Sequence, residues 1–554
     1  MILVVAWDGA CSDVVLPLLD AGQLPVLASL IAKGAAREVE STVPAVTFPA
    51  WSSFLTAARP DHHGLTDFTL RDGYNVRFMN ASHRRLPTMF AQLDACGLKC
   101  GSYAVPCTYP PEPIDGVVVC GFDTPLGGGR LTRRTHPPEL GSRIVARYGS
   151  LAVEGPQQSR IEAGWHDRAL AQMKTEIELR TDIVVDLLRE GRSGRDWDLF
   201  MVHYGESDTV SHQFWQFADS DSPRYRSDGP GDAMADVYRS MDRALGRLVA
   251  ALPADASLMI ISDHGSGGAS DRVIHWNRWL ADRGLLTFAT RSGSGAMRLA
   301  RRAALGLVPT AMQATLFESL PGLAGRVESG HRLGGIDWSA TRVFSEELNY
   351  FPALWINRCG REPQGIVGED EVADLIAELR VQLAAFVDPF DGAPVVTRVL
   401  EREEVYDGPF SDRVPDLILE LRNPDGYSYA AASSRAGGEI EPLRRLRDAE
   451  MTGARGTTMA GAHRARGLCV MYGAGVRPGL YPPGSLHDAG ASVLAMAGVA
   501  VPVGADGKAW NELLEHPQGS LVPTSTPAAG EIRDYDASEA EEVARRLRAL
   551  GYVE

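Results

Sequence analysis

The 554-residue sequence predicts an α/β fold: a mostly parallel central sheet covered by helices on both faces, with an inserted subdomain. Three observations predict it. Short apolar runs recur at 2–7 (ILVVAW), 117–122 (VVVCGF), 198–204 (DLFMVHY), 257–262 (SLMIIS) and 468–473 (LCVMYG). Continuous apolar runs of this length suit strands buried on both faces. Between them stand amphipathic segments of helical period, notably 167–191 and 231–252, and strands alternating with helices imply parallel pairing under helical cover. From 276 to 395 the texture changes to basic and small residues (RSGSGAMRLARRAALG), then to a mixed stretch containing LWINRCGREPQG.

These features divide the chain in order. Residues 1–275 hold the first part of the core, and 276–395 form the inserted subdomain or cap. Residues 396–515 return to the core and carry His463. Residues 516–554 read as a Pro- and Gly-rich linker (HPQGSLVPTSTPAAGE) followed by a capped terminal helix (DASEAEEVARRLRALGYVE).

Composition narrows the function. Lys plus Arg number 55 against 71 Asp plus Glu, a net charge of -16, which argues against a nucleic acid polymer or an anionic membrane as partner. Seven cysteines at 11, 96, 100, 107, 120, 359 and 469 are an odd number without a repeated short spacing, so neither a disulfide framework nor a cysteine zinc site is expected. The opening MILVVAWDGA lacks a basic leader, and no run holds about 18 consecutive apolar residues. A soluble cytoplasmic protein is the expectation, its oligomeric state open.

Ligands of doubly wound sheets bind beyond the carboxyl ends of the strands, and there this chain collects metal-binding residue types. The first run ends in Asp8-Gly9, the third leads into GESDTVSH with Asp208 and His212, the fourth ends in Asp263-His264-Gly265, and GAHRARG with His463 precedes the fifth. Singly these are ordinary: a lone Asp after a strand is usually a turn former, and Asp208 with His212, four apart, also fits a hydrogen-bonded helical pair. Asp263 and His264 can serve one site only if the strand stops and the chain turns at the glycine. Thr47, in STVPAVTFPAWSSF, reads at first as a helix cap. Together, three Asp, three His and a threonine match the inventory for two divalent metals, zinc with manganese or iron as alternatives.

The order Asp8, Thr47, Asp208-x-x-x-His212, Asp263-His264, His463 resembles the alkaline phosphatase superfamily, in its type I phosphodiesterase and nucleotide pyrophosphatase branch. The stretches DHGSGGASDRVIHWNRWLADRGLL, IDWSATRVF, INRCGREPQGIV, REEVYDGP, PDLIL and RALGYVE are similar to a bacterial group of phosphohydrolases or phosphomutases. The resemblance implies an alkaline-phosphatase-like fold, one metal on Asp208, His212 and His463, a second on Asp8, Asp263 and His264, and Thr47 as the metal-activated nucleophile. The implied substrate is a small phosphorylated molecule, such as a nucleotide or a phosphodiester metabolite.

One position departs from that pattern. Nucleotide pyrophosphatases carry a phosphate-contacting asparagine shortly after the His-Gly of the nucleophile segment, where this chain reads HHGLTDF with Phe68. His275 and Asn277 in VIHWN, or an arginine of the insertion, are the candidates for the missing contact. A phosphodiesterase or pyrophosphatase with a threonine nucleophile is the leading expectation. A phosphomonoesterase or phosphomutase is the alternative, and a non-catalytic binding protein on the same fold is a third.

Overall fold

All five apolar runs are strands of one ten-stranded sheet. The computed structural model describes the chain except residues 126–129, 154, 157–163, 193–196, 290–331, 435–439, 452–458, 516–520, 524–529 and 550–554. The strand order is Gly479–Leu480, Ala35–Glu40, Arg466–Gly473, Ser257–Ile261, Ile2–Trp7, Leu199–Tyr204, Cys100–Val105, Gly116–Cys120 and Thr135–His136, with Gly484–Ser485 also paired to Ala35–Glu40. Ser257–Ile261 through Gly116–Cys120 run parallel. Arg466–Gly473 is antiparallel to both neighbours, which its apolar character did not reveal.

Alternation along Ile2–Trp7 assigns the two faces. Leu3, Val5 and Trp7 join a core with helices Ser12–Asp20, Pro25–Lys33, Trp165–Arg192, Glu206–Ala218 and Ala233–Ala250. Ile2, Val4 and Ala6 join another with Thr47–Thr56, Met89–Ala95 and Leu486–Met496. Register then sets where the chain leaves the sheet. Trp7 lies opposite Tyr204 and Ala6 opposite Ile261, so Asp8, Gly205 and Ser262 emerge at one edge.

A second sheet of four antiparallel strands, Val343–Phe344, Ala353–Ile356, Leu417–Leu421 and Val396–Glu401, packs with helix Val372–Ala384 and with Trp276 and Trp279. Its strands lie on both sides of position 395, so a boundary there cuts through one β unit, because antiparallel pairing joins Val396–Glu401 to Leu417–Leu421. The basic run 291–306 and most of the expected linker fall outside the described residues. Helix Ala537–Ala549 follows as expected, its start closed by reciprocal bonds: Glu539 N–H donates to the Asp536 carboxylate at 2.9 Å and Asp536 N–H to the Glu539 carboxylate at 3.0 Å. Among the described residues no single helix is long and apolar enough to cross a membrane.

Candidate active site

The metal-binding types converge because three strands end level. Gly9 turns the chain at φ +66°, and a Cβ there would lie 2.8 Å from Ser266 Oγ. Its N–H donates to Asp263 Oδ1 at 3.3 Å, Ser207 Oγ donates to Asp8 O at 2.6 Å, and Ser266 Oγ to Gly9 O at 2.7 Å. Those bonds tie the ends of three strands together around Asp8. Helix Glu206–Ala218 begins at once after Leu199–Tyr204, so Asp208 and His212 share one helical face and meet at 3.2 Å. Ser257–Ile261 ends before Asp263, and Gly265 opens a new strand, the turn required for Asp263 and His264 to serve one site. His264 Nε2 lies 3.4 Å from both Asp8 Oδ1 and Asp263 Oδ2.

His463 arrives from the far end of the chain. Gly461–Arg464 pairs antiparallel with Gly265–Ile274, His463 opposite Ser266. Gly461 makes this approach possible, since a Cβ there would lie 2.2 Å from the Ser211 carbonyl oxygen. His463 Nε2 then reaches within 3.5 Å of Asp208 Oδ1.

The imidazoles are oriented for metal ligation. Each donates its Nδ1–H to a backbone carbonyl, which can only accept: His212 to Gly461 at 3.0 Å, His264 to Gly265 at 3.0 Å and His463 to Ala45 at 2.8 Å. Each Nε2 lone pair therefore points inward, the arrangement that fixes a metal-binding tautomer. His212 Nε2 and His463 Nε2 face each other at 2.9 Å, a contact that calls for a positive charge, a proton or a metal ion, between them. Asp8 Oδ1, Asp263 Oδ2 and His264 Nε2 are buried and accept no hydrogen bond. Such orphaned acceptors are costly unless a positive charge meets them. The donor set of imidazole nitrogens and carboxylate oxygens fits divalent ions of the zinc class.

Electrostatics agree. Burial, with Asp8 and Asp208 nearby, pushes Asp263 well above the usual carboxylate range. Burial and the adjacent His463 push His264 down to about 4, which keeps its imidazole neutral. Burial opposes the charged forms of Asp208 and His212, yet their mutual attraction outweighs it: Asp208 is held well below the carboxylate range and His212 is raised. Two sets of ligand atoms lie close enough to hold an ion, Asp208 with His212 and His463, and Asp8 with Asp208 and His264, the latter touching Asp263. Asp208 is common to both.

Thr47 is the first residue of helix Thr47–Thr56, while Val46 holds the extended N-cap conformation and offers no side-chain cap. Capping therefore does not account for this threonine. Its helix is fastened to the cluster on either side in sequence, by the His463 bond to Ala45 and by Trp51 Nε1 donating to Asp8 Oδ2 at 3.0 Å. Thr47 itself is fully buried.

Two functional residues escaped the sequence reading. His203 places Nε2 2.7 Å from Asp8 Oδ2 and so braces the carboxylate from behind; a lone histidine inside DLFMVHY was the available signal. Arg180, buried on helix Trp165–Arg192, donates to Glu206 Oε2 at 2.8 Å, His203 O at 3.2 Å and Ala152 O at 2.8 Å, pinning the start of the helix that bears Asp208. Nothing in its amphipathic helix marked it. Both line a small pocket of about 60 Å³ beside Asp8 and Asp208, walled also by Ala104, Phe122 and Val153. Replacing His203 with Ala is expected to weaken metal binding about 10- to 100-fold while the fold persists; competition for Zn2+ against a chromophoric chelator measures it.

His275 and Asn277 do not join this cluster. They lie past the opposite end of the ten-residue strand Gly265–Ile274. Asn277 spends its side chain on Ser345, accepting from its N–H at 2.8 Å and donating to its carbonyl at 2.8 Å, and His275 Nδ1 donates to Ala432 O at 3.0 Å. Asn277 docks the second sheet and His275 the end of Ser428–Ala431, because the ten-residue strand separates them from His264. Phe68 is fully buried, its ring 4.4 Å from that of Phe48, so it packs against helix Thr47–Thr56.

Comparison with known proteins agrees with this geometry. The chain superposes on phosphonoacetate hydrolase from Sinorhizobium meliloti 1021 in complex with phosphonoformate, with TM-score 0.53 and 17% identity, over 89% of this chain and 95% of that one. Murine ectonucleotide pyrophosphatase/phosphodiesterase 5 is also similar, with TM-score 0.48 and 14% identity, over 93% of this chain and 99% of that one. No curated protein sequence matches. Residues 2–457 match the family profile described as type I phosphodiesterase / nucleotide pyrophosphatase, a span that holds every strand-end residue above except His463. The chain therefore belongs to the type I phosphodiesterase/nucleotide pyrophosphatase family and is a phosphoester hydrolase.

Proposed function

We propose that this hydrolase works with two divalent ions, zinc by preference, and with Thr47 as its nucleophile, on small phosphodiesters or pyrophosphates, nucleotides among them. The observation that carries the reading is the convergence of His212, His264 and His463, each with Nδ1–H spent on a carbonyl, upon Asp8, Asp208 and Asp263 beside a helix that starts at Thr47. Asp208, His212 and His463 would hold one ion, and Asp8, Asp263 and His264 the other, with Asp208 within reach of both. Bound cations would lower the pKa of the Thr47 hydroxyl and offset charge on the leaving oxygen. The chain's own part is then positional. Thr47 Oγ1 bonds to phosphorus as the bond to the leaving alcohol breaks, and water later cleaves the phosphothreonine and restores the hydroxyl. The first-turn N–H groups of Thr47–Thr56 favour an anion there. All seven cysteines are unpaired, which fits a reducing compartment such as the cytoplasm.

A diester fits this reading better than a monoester. A monoester dianion presents one more unesterified oxygen, and the guanidinium in the pocket beside Asp8 and Asp208, that of Arg180, already faces Glu206. Bis(4-nitrophenyl) phosphate is therefore expected to show higher kcat/KM than 4-nitrophenyl phosphate. Activity should vanish in excess chelator and return with Zn2+ or Mn2+. Full turnover by metal-free protein overturns the metal reading, and the reverse substrate ranking across several leaving groups favours a phosphomonoesterase or phosphomutase.

A further inference from the structure

We propose a separate divalent-cation site, of the zinc or manganese class, built by Asp61, His62 and Asp407 beyond the end of helix Thr47–Thr56 remote from Thr47. One ligand atom from each of these residues lies within 4.8 Å of the others. The feature that points to a ligand is one also found at the active centre, a buried carboxylate oxygen that accepts no hydrogen bond. Asp61 is 0% exposed. Its Oδ2 accepts from the N–H groups of Asp407 at 2.8 Å and Gly408 at 2.5 Å, while Oδ1 is buried and accepts no hydrogen bond. His62 Nδ1, also buried and without a hydrogen bond, stands 3.4 Å from that oxygen. Asp407 Oδ1 is 4.0 Å from His62 Nε2, and Asp506 Oδ2 is 3.9 Å from His62 Nδ1.

Charge and backbone both suit an ion. Asp61, Asp407 and Asp506 meet the guanidinium of Arg59, which binds Asp407 Oδ1 and Asp506 Oδ2, the oxygens that also face His62. Three carboxylates against one guanidinium leave an excess of two negative charges, the complement of one divalent cation. Arg59 N–H further fixes Asp506 Oδ1 at 2.9 Å, the role of an outer partner that orients ligating carboxylates. Gly408 lets the 407–408 turn sit on Asp61, since a Cβ there would lie 2.5 Å from the Asp61 carbonyl oxygen. An ion here would join three segments distant in sequence, 59–62, 407–408 and 506, and so stabilise the support of the nucleophile helix.

The site stands apart from the active-centre reading, and the test separates them. Full-length wild type, His62→Gln and Asp407→Asn are equilibrated with Zn2+ alone or Mn2+ alone, and bound metal per chain is measured by elemental analysis, with circular dichroism as the check on folding. Both changes fall on partly or fully exposed side chains. Each variant is expected to hold one equivalent less than wild type, whatever the wild-type total. In an Asp208→Asn background, added Zn2+ should still raise Tm, and the further change His62→Gln should remove that rise. Equal metal content in wild type and both variants, or no Zn2+-dependent Tm rise in Asp208→Asn, overturns the proposal. One ion in wild type and none in His62→Gln supports it while removing the active-centre pair.

Discussion

Thr47→Ala is expected to lower turnover by several orders of magnitude while the metal content of the active centre is retained. Its ligands lie elsewhere, on Asp8, Asp208, His212, Asp263, His264 and His463, so the variant removes only the attacking hydroxyl. A capping residue would behave differently, costing about 1 kcal/mol of stability with turnover nearly intact, and Val46 already occupies the cap position. Thr47→Ser keeps the hydroxyl and loses the methyl that restricts χ1, so part of the activity should remain. The measurement is turnover normalised to folded, metal-loaded protein, joined to mass spectrometry of the acid-quenched wild type for a phosphoryl group on the Thr47 peptide. Near-normal turnover in Thr47→Ala ends the nucleophile reading.

Asp208→Asn should cost more metal than any other single ligand change. Asp208 Oδ1 stands 3.2 Å from His212 Nε2 and 3.5 Å from His463 Nε2, and its carboxylate also groups with Asp8 and His264. An amide at that position keeps the shape but removes the charge common to both sets, so both active-centre ions should be lost together with nearly all activity. His463→Ala contrasts with it, since His463 groups only with Asp208 and His212; it should weaken one ion and spare the other. Elemental analysis of the two variants side by side gives the answer. Equal loss in both would mean that Asp208 does not bridge the sets. Removal of the Asp208 charge also leaves Asp263 with one fewer carboxylate beside it, so Asp263 should ionise at lower pH in the metal-free variant than in the metal-free wild type.

Several elements were legible because local physics wrote them. The five strands followed from apolar runs, since strands buried on both faces are commonly built of apolar residues. The 165–192 and 233–250 helices followed from their period, and the terminal helix from Asp536 and Glu539 at its start. Strands Ala35–Glu40 and Cys100–Val105 were missed because polar or small residues dilute their pattern (AAREVE, CGSYAV). Neighbours on both sides bury Cys100–Val105 even so.

The amino-acid sequence by itself determined which residues could do chemistry here, since ligand types at strand ends are a local property of each β–turn unit. Only the tertiary structure decided how they are used. Strand register brought Asp8 level with Asp263, and the close approach at Gly461 delivered His463 from more than 250 residues away in sequence to His212. It also turned Arg180 and His203 into braces, spent Asn277 on Ser345, and set His62 against Asp61 and Asp407. Those outcomes depend on contacts between segments far apart in the chain, and a pattern read along the chain carries residue types and periods but not the partners that folding supplies.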